Sequence, residues 1–168
     1  VASTLRLDPR RKMLYTSPAP LPTAFQKQSI FIAGGISDCP DWQQEMVDLF
    51  NQDIFDIVNP RREAGFDSTG ATAEEQITWE HRALGLVDAC VFWFPKETLC
   101  PITLFELGGM LHRAAHRNVR LAIGWHPEYQ RAFDLAVQIR LEHADSRYVL
   151  HAAPGWDDLC AVVKQTWG

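Results

Sequence analysis

Residues 89–110 read ACVFWFPKETLCPITLFELGGM. The first six, Ala89–Phe94, are an unbroken apolar run of strand length, as expected of a strand covered on both faces within a parallel sheet. After a short loop the spacing turns helical from about residue 103, so the stretch reads as strand, loop, helix. Four further runs of the same kind flank it: SIFIAGG at 29–35, IFDIVNP at 54–60, VRLAIGW at 119–125 and RYVLHA at 147–152. The segments between them are long enough for crossover helices, predicted at about 40–51, 73–87, 103–116, 128–143 and 156–166. Pro40 and Pro127 suit first helical positions. This alternation predicts an α/β domain with a parallel, mostly five-stranded sheet between two helical layers.

Composition agrees with that class. The chain has 168 residues, 46% of them hydrophobic, with six Trp and nine Phe, enough for one domain with a two-sided core. A net charge of −5 gives no general attraction to nucleic acid or anionic membrane. No segment approaches the roughly 18 apolar residues of a membrane span, and the opening VASTLRLDPRRKMLYTSPAPLP is too polar for a secretory signal. The four cysteines, Cys39, Cys90, Cys100 and Cys160, lack the close pairs of a zinc site and fit a reducing, cytoplasmic compartment. Residues 1–25, with four prolines and little periodicity, read as an extended or poorly ordered arm, Met13 being a candidate start, and residues 26–168 as the domain.

In open α/β sheets ligands gather at the carboxyl ends of the strands, here the loops after Gly34, Asn59, Phe94 and Gly124. Two acids are out of place near that edge. Glu106 stands between Phe105 and Leu107, and Thr103-Leu104-Phe105-Glu106 has the form of a capping box, in which Glu106 would bond back to the Thr103 amide. Alternatively, a carboxylate in a first helical turn stays ionised beside the helix dipole and faces the crevice, where it is placed to act as a nucleophile. Gly108 and Gly109 follow, each costing about 1 kcal/mol in a helix interior, for close packing on the sheet or for ligand room.

The second acid, Glu80, falls on a stripe with Ile77, Leu84 and Val87 that should pack on the sheet. It either reaches solvent or an Arg at the margin, with Arg61 and Arg62 as candidates, or has a function. Gly34 and Gly35 either line a ligand or make a tight turn. Asp38, Asp41 and Trp42 are placed to contact a ring or to start a helix. Asn59 and Arg61 lie at the second strand end, and Asp88, just before a strand, reads as a turn or capping residue. His112 and His116 share a helical face without an evident third ligand, so no metal is expected.

Three stretches together, IFIAGGISDCPDWQ (30–43), IVNPRR (57–62) and QITWEHRALGLVDACVFWFPKETLCPITLFELGG (76–109), resemble the nucleoside 2-deoxyribosyltransferase family, in a divergent branch. The resemblance implies a flavodoxin-like fold and transfer of a 2-deoxyribosyl group between nucleobases without a cofactor. It also implies that Glu106, the Glu of ELG, is the nucleophile and forms a covalent glycosyl-enzyme. Glu80 would hold and protonate the base, and Gly34, Gly35, Asp38, Trp42, Asn59, Arg61, Asp88 and Cys100 would surround the substrate. The implied partners are nucleosides and free bases, with no nucleic acid, and a second copy of the chain in a homo-oligomer. The sequence departs from the family at three points: Phe31 replaces a Tyr near the nucleophile, Cys100 replaces an Asp that grips the sugar, and no C-terminal segment matches the one that completes a neighbour's site. An N-glycoside hydrolase of nucleosides or nucleotides and a non-catalytic nucleotide-binding module are the competing readings.

Overall fold

The computed structural model describes residues 13–62, 70–145 and 150–168. Its elements, in chain order, are β1 (Met13–Thr16), β2 (Gln28–Gly34), α1 (Trp42–Val47), β3 (Phe55–Asn59), α2 (Gly70–Leu86), β4 (Ala89–Phe94), α3 (Pro101–Arg117), β5 (Arg120–Trp125), α4 (Ala132–Asp145), β6 (Leu150–Pro154) and α5 (Trp156–Trp167). All six strands are parallel, in the order β1-β3-β2-β4-β5-β6. Without β1, the remaining five follow the flavodoxin-like order, and the expected fold class stands with one strand more than predicted.

The extra strand comes from the lead-in. Met13–Thr16 pairs with Asp56–Asn59 at the sheet edge, so part of the arm assigned to residues 1–25 belongs to the fold. Periodicity missed it because four edge residues carry too little pattern. Residues 1–12 of that arm lie outside the described residues, as does the start of the predicted strand at 147–152.

Strand alternation builds two cores. Phe31, Ala33, Cys90, Phe92 and Phe94 face one layer, where α2, α3 and α4 contribute Trp79, Leu107, Met110, Leu135 and Ile139. Ile30, Ile32, Val91 and Trp93 face the other, where α1 and α5 contribute Trp42, Met46, Leu159, Val163 and Trp167. A side-chain period of two along each strand and helices on both faces account for the continuous apolar runs.

Two helix starts differ from expectation. Helix α1 is capped by Asp41, whose carboxylate accepts from the Gln44 amide at 3.2 Å, which leaves Pro40 ahead of the cap. Helix α4 begins at Ala132, five residues past Pro127, because a turn with the Tyr129 amide on the His126 carbonyl comes first. No described helix is long and apolar enough to cross a membrane.

Candidate active site

The chain leaves β2 toward β3 on one side and returns through α2 to β4 on the other. The crevice between the carboxyl ends of β2 and β4 is therefore the topological switch point, where open α/β sheets bind ligands. A cleft of about 370 Å³ occupies it. Phe31 forms part of its wall, the loop after β2 supplies Gly34–Ser37, α2 supplies Gln76 and Glu80, and the start of α3 supplies Cys100–Thr103 and Glu106. An apolar cleft with few convergent polar groups is the usual form of a small-molecule site.

The capping box does not form. Helix α3 starts at Pro101, after Cys100 in a left-handed conformation (φ 49°), and no side chain caps it. Pro at the first helical position needs no amide partner, which moves the start two residues ahead of the predicted one. Thr103 is buried within the helix, and Glu106 stands in the second turn, past the strongest field of the dipole. Burial, and secondarily the charge of Glu80, push the Glu106 carboxyl up to about 8, against the expectation of a group held ionised.

Glu80 reaches the same cleft from α2. The buried face of that helix is Gln76, Trp79, Ala83 and Leu84, rotated from the predicted stripe, with Ile77 58% exposed. Trp79 takes the packing position because its ring lies 6.5 Å from Phe31 and its indole N–H reaches the Ala19 carbonyl at 2.7 Å. Glu80 is thereby turned to the margin. Burial raises its carboxyl, but a hydrogen bond from Gln76 and the nearby Arg62 charge oppose this. Two acids with different surroundings share one wall, both raised by burial, with the stronger push on Glu106.

Gln76 is held on both edges of its side-chain amide. Its Nε2 donates to Glu80 Oε1 at 2.6 Å and to the Pro60 carbonyl at 2.9 Å. Its Oε1 accepts from Ser17 Oγ at 2.6 Å and from Arg62 Nε. Arg62 also donates from Nη2 to Glu75 at 2.8 Å. The sequence reading passed over Gln76, although its position one helical turn before Glu80 was the available signal.

The other predicted residues divide. Gly34, Gly35 and Cys100 line the cleft. Neither glycine has positive φ, so no turn requires it; a Cβ on Gly34 would strike the Trp93 carbonyl and Trp42, and one on Gly35 would lie 2.7 Å from Pro95 and Thr98. Cys100 Sγ lies 3.6 Å from the Thr98 carbonyl, and burial, together with Cys39, pushes its thiol up to about 12.

Asp38, Trp42, Asn59, Arg61 and Asp88 are not in the cleft wall. Trp42 packs in the opposite core, its indole N–H on the Gly35 carbonyl at 2.8 Å. Asp38 is exposed on the loop after β2. Asn59 Oδ1 accepts from the Arg61 amide at 3.0 Å. Arg61 ties down the loop after β2, donating to the Cys39 carbonyl at 2.9 Å and Gln43 at 3.2 Å and pairing with Asp41 at 3.4 Å. Of the two arginines, Arg62 faces the cleft. Asp88 stands at the amino end of β4, away from the cleft, where it accepts from the amide and hydroxyl of Ser29 at 2.9 and 3.0 Å.

Behind the acids is a second cavity of about 270 Å³. Glu80, Glu106, Ile77 and Ile102 belong to both walls, and Leu84, Met110, Gly109 and Arg113 close the far side. A Cβ on Gly108 or Gly109 would meet nothing within 4 Å, so sheet packing does not explain these glycines. Phe105, 83% exposed, and Ile102, 59% exposed, lie on the same surface of α3.

The family model for nucleoside 2-deoxyribosyltransferase-like proteins matches residues 27–123, more than half of the chain. The chain belongs to this family. No curated protein matches it. The matched span of the deoxyribosyltransferase-like domain runs from β2 into β5 and contains the whole wall of the cleft. Outside it lie β1, with the Ser17 that follows it, and the α4–α5 end of the chain, whose α5 packs against β5 and β6 of its own sheet.

Proposed function

We propose that this protein transfers a deoxyribosyl or ribosyl group between nucleobases through a covalent ester on Glu106. The observation that carries the reading is the meeting of Glu106 and Glu80, from separate helices, in the wall of one mostly apolar cleft at the switch point of the sheet. In the first step a Glu106 oxygen attacks the anomeric carbon, the glycosidic C–N bond breaks, and the departing base takes its electron pair and a proton from Glu80. In the second, the nitrogen of an incoming base attacks the same carbon, Glu106 is released and the proton returns to Glu80.

The reactive form is the one with the proton on Glu80. In the empty cleft the stronger upward push falls on Glu106. A bound nucleoside whose base nitrogen accepts a hydrogen bond from Glu80 favours the protonated form of that acid and frees Glu106 to attack. The substrates on this reading are nucleosides and free bases, no cofactor takes part, and the enzyme works in the cytoplasm as a homo-oligomer. Hydrolysis is the second reading, favoured by Cys100, whose thiol stands where the family carries a sugar-gripping carboxylate.

The test is brief exposure to a deoxynucleoside without acceptor, followed by intact-protein mass and peptide mapping. Transfer requires an adduct on the peptide containing Glu106 and a new nucleoside when a second base is added. Base release at the same rate with and without acceptor indicates hydrolysis. Ligand-induced thermal stabilisation with neither adduct nor product leaves a binding module.

A further inference from the structure

The amide of Gln76 has no unused hydrogen-bonding position toward its neighbours: two donors and two acceptor sites are each engaged. Flipping it would set Oε1 against the Pro60 carbonyl and Glu80, and its NH2 against the Arg62 N–H, so one orientation is fixed. That orientation always presents an N–H to Glu80. Its anchors come from three parts of the chain: Ser17 after β1, Pro60 and Arg62 after β3, and α2 itself. We propose that Gln76 is a positioning residue for the carboxylate pair, aiming Glu80 into the cleft and deciding which acid carries the shared proton.

The inference rests on the transferase reading for its catalytic consequence, but not for its electrostatics. An N–H directed at a carboxylate favours the anion, so Gln76 makes Glu80 the acid that ionises first and leaves the last proton on Glu106. Among the described residues, the charged and titratable groups sharing cavity walls with Glu80 are Glu106 and Arg113 from α3, Arg62 from the loop after β3, and His81 on its own helix; Glu75 is engaged by Arg62. Among the described residues, Gln76 is the one that gives Glu80 a hydrogen bond opposing the effect of burial. The amide also leaves Glu80 Oε2 for the substrate, since it occupies Oε1.

The experiment uses the full chain with glutamate carbons labelled at the carboxyl, titrated by NMR with the cleft empty, beside the pH profile of transfer. Gln76→Met keeps the side-chain length and removes the N–H to Glu80 without adding a charge. Ser17→Ala keeps the donor and frees one anchor. In Gln76→Met, the first ionisation of the pair and the acid limb of kcat/KM are expected to move up by about one pH unit, with a smaller shift of the same sign in Ser17→Ala. Gln76→Asn, too short to reach Glu80 from the same anchors, should resemble Gln76→Met in titration. Unchanged carboxyl titration in the folded variants overturns the proposal. If the wild type shows no turnover, the transferase reading falls, and the titration still decides the role of Gln76.

Discussion

Glu80 and Glu106 reach one cleft from two helices, and the same two carboxyls stand in the wall of the cavity behind it. Of the alternatives the local pattern left open, Glu106 takes the crevice and not the cap, and Glu80 takes the margin of the packed face. Since no capping role remains for Glu106, its replacement by Gln tests chemistry alone. Glu106→Gln is expected to lower turnover by orders of magnitude and abolish the adduct, with a melting temperature at or above that of the wild type, because a buried acid becomes a neutral amide. Steady-state rates and thermal melts check this together.

Glu80→Gln is expected to slow base departure while leaving the fold intact, with the largest loss for the bases that most need protonation. It should also lower the titration midpoint of Glu106, since the charge of Glu80 is the second cause of its elevation. Rates with a series of bases, and the alkaline limb of adduct formation, measure the two effects.

Stability should depend on pH through Glu106. Its carboxyl is raised from an ordinary 4.5 to about 8 in the folded chain, so folding takes up a proton between those values. The contribution is fully present below the ordinary value and is lost as pH rises through about 8. Melting temperature in the empty state should therefore fall between pH 5 and pH 8, and Glu106→Gln should flatten that slope.

Cys100 lines the cleft in a left-handed backbone conformation, which Asp adopts more readily than most residues. Cys100→Asp is expected to raise the ratio of deoxyribonucleoside to ribonucleoside rates several-fold, by adding one oriented acceptor for a sugar hydroxyl. An unchanged ratio would place the sugar away from the start of α3.

The space beside Gly108 and Gly109 predicts a gain in stability. Alanine at either position meets no atom and removes the backbone cost of glycine, so each single variant should be stabilised by about 0.5–1 kcal/mol. Denaturant melts of the unliganded protein check it. If Gly109→Ala also weakens ligand binding, the back cavity takes part in recognition.

The sheet was legible because each central strand is apolar on both faces, and the crevice followed from strand order. Helix starts were less so: Pro40, Pro127 and Pro101 have similar local credentials, and only tertiary context makes Pro101 the first helical residue. Glu80 and Glu106 were conspicuous as charges in apolar surroundings. Gln76 and Ser17 were not, since a buried polar residue is unremarkable until its partners, 59 residues apart in the chain, are brought together. Arg61 and Arg62 point to different sides of one loop end, and their adjacency in sequence gave no means of choosing between them.

The edge position of β1 bears on how the protein can be shortened. A chain cut at the start of the family match would keep every wall residue of the cleft yet lose the strand that covers β3. Phe55–Asn59, buried along its whole length, would then offer an open row of amides and carbonyls to any passing strand. The Oε1 of Gln76 would lose its hydroxyl partner as well. A fragment trimmed to the recognisable family core should therefore precipitate or self-associate through its sheet edge, although every residue of the cleft wall is still present.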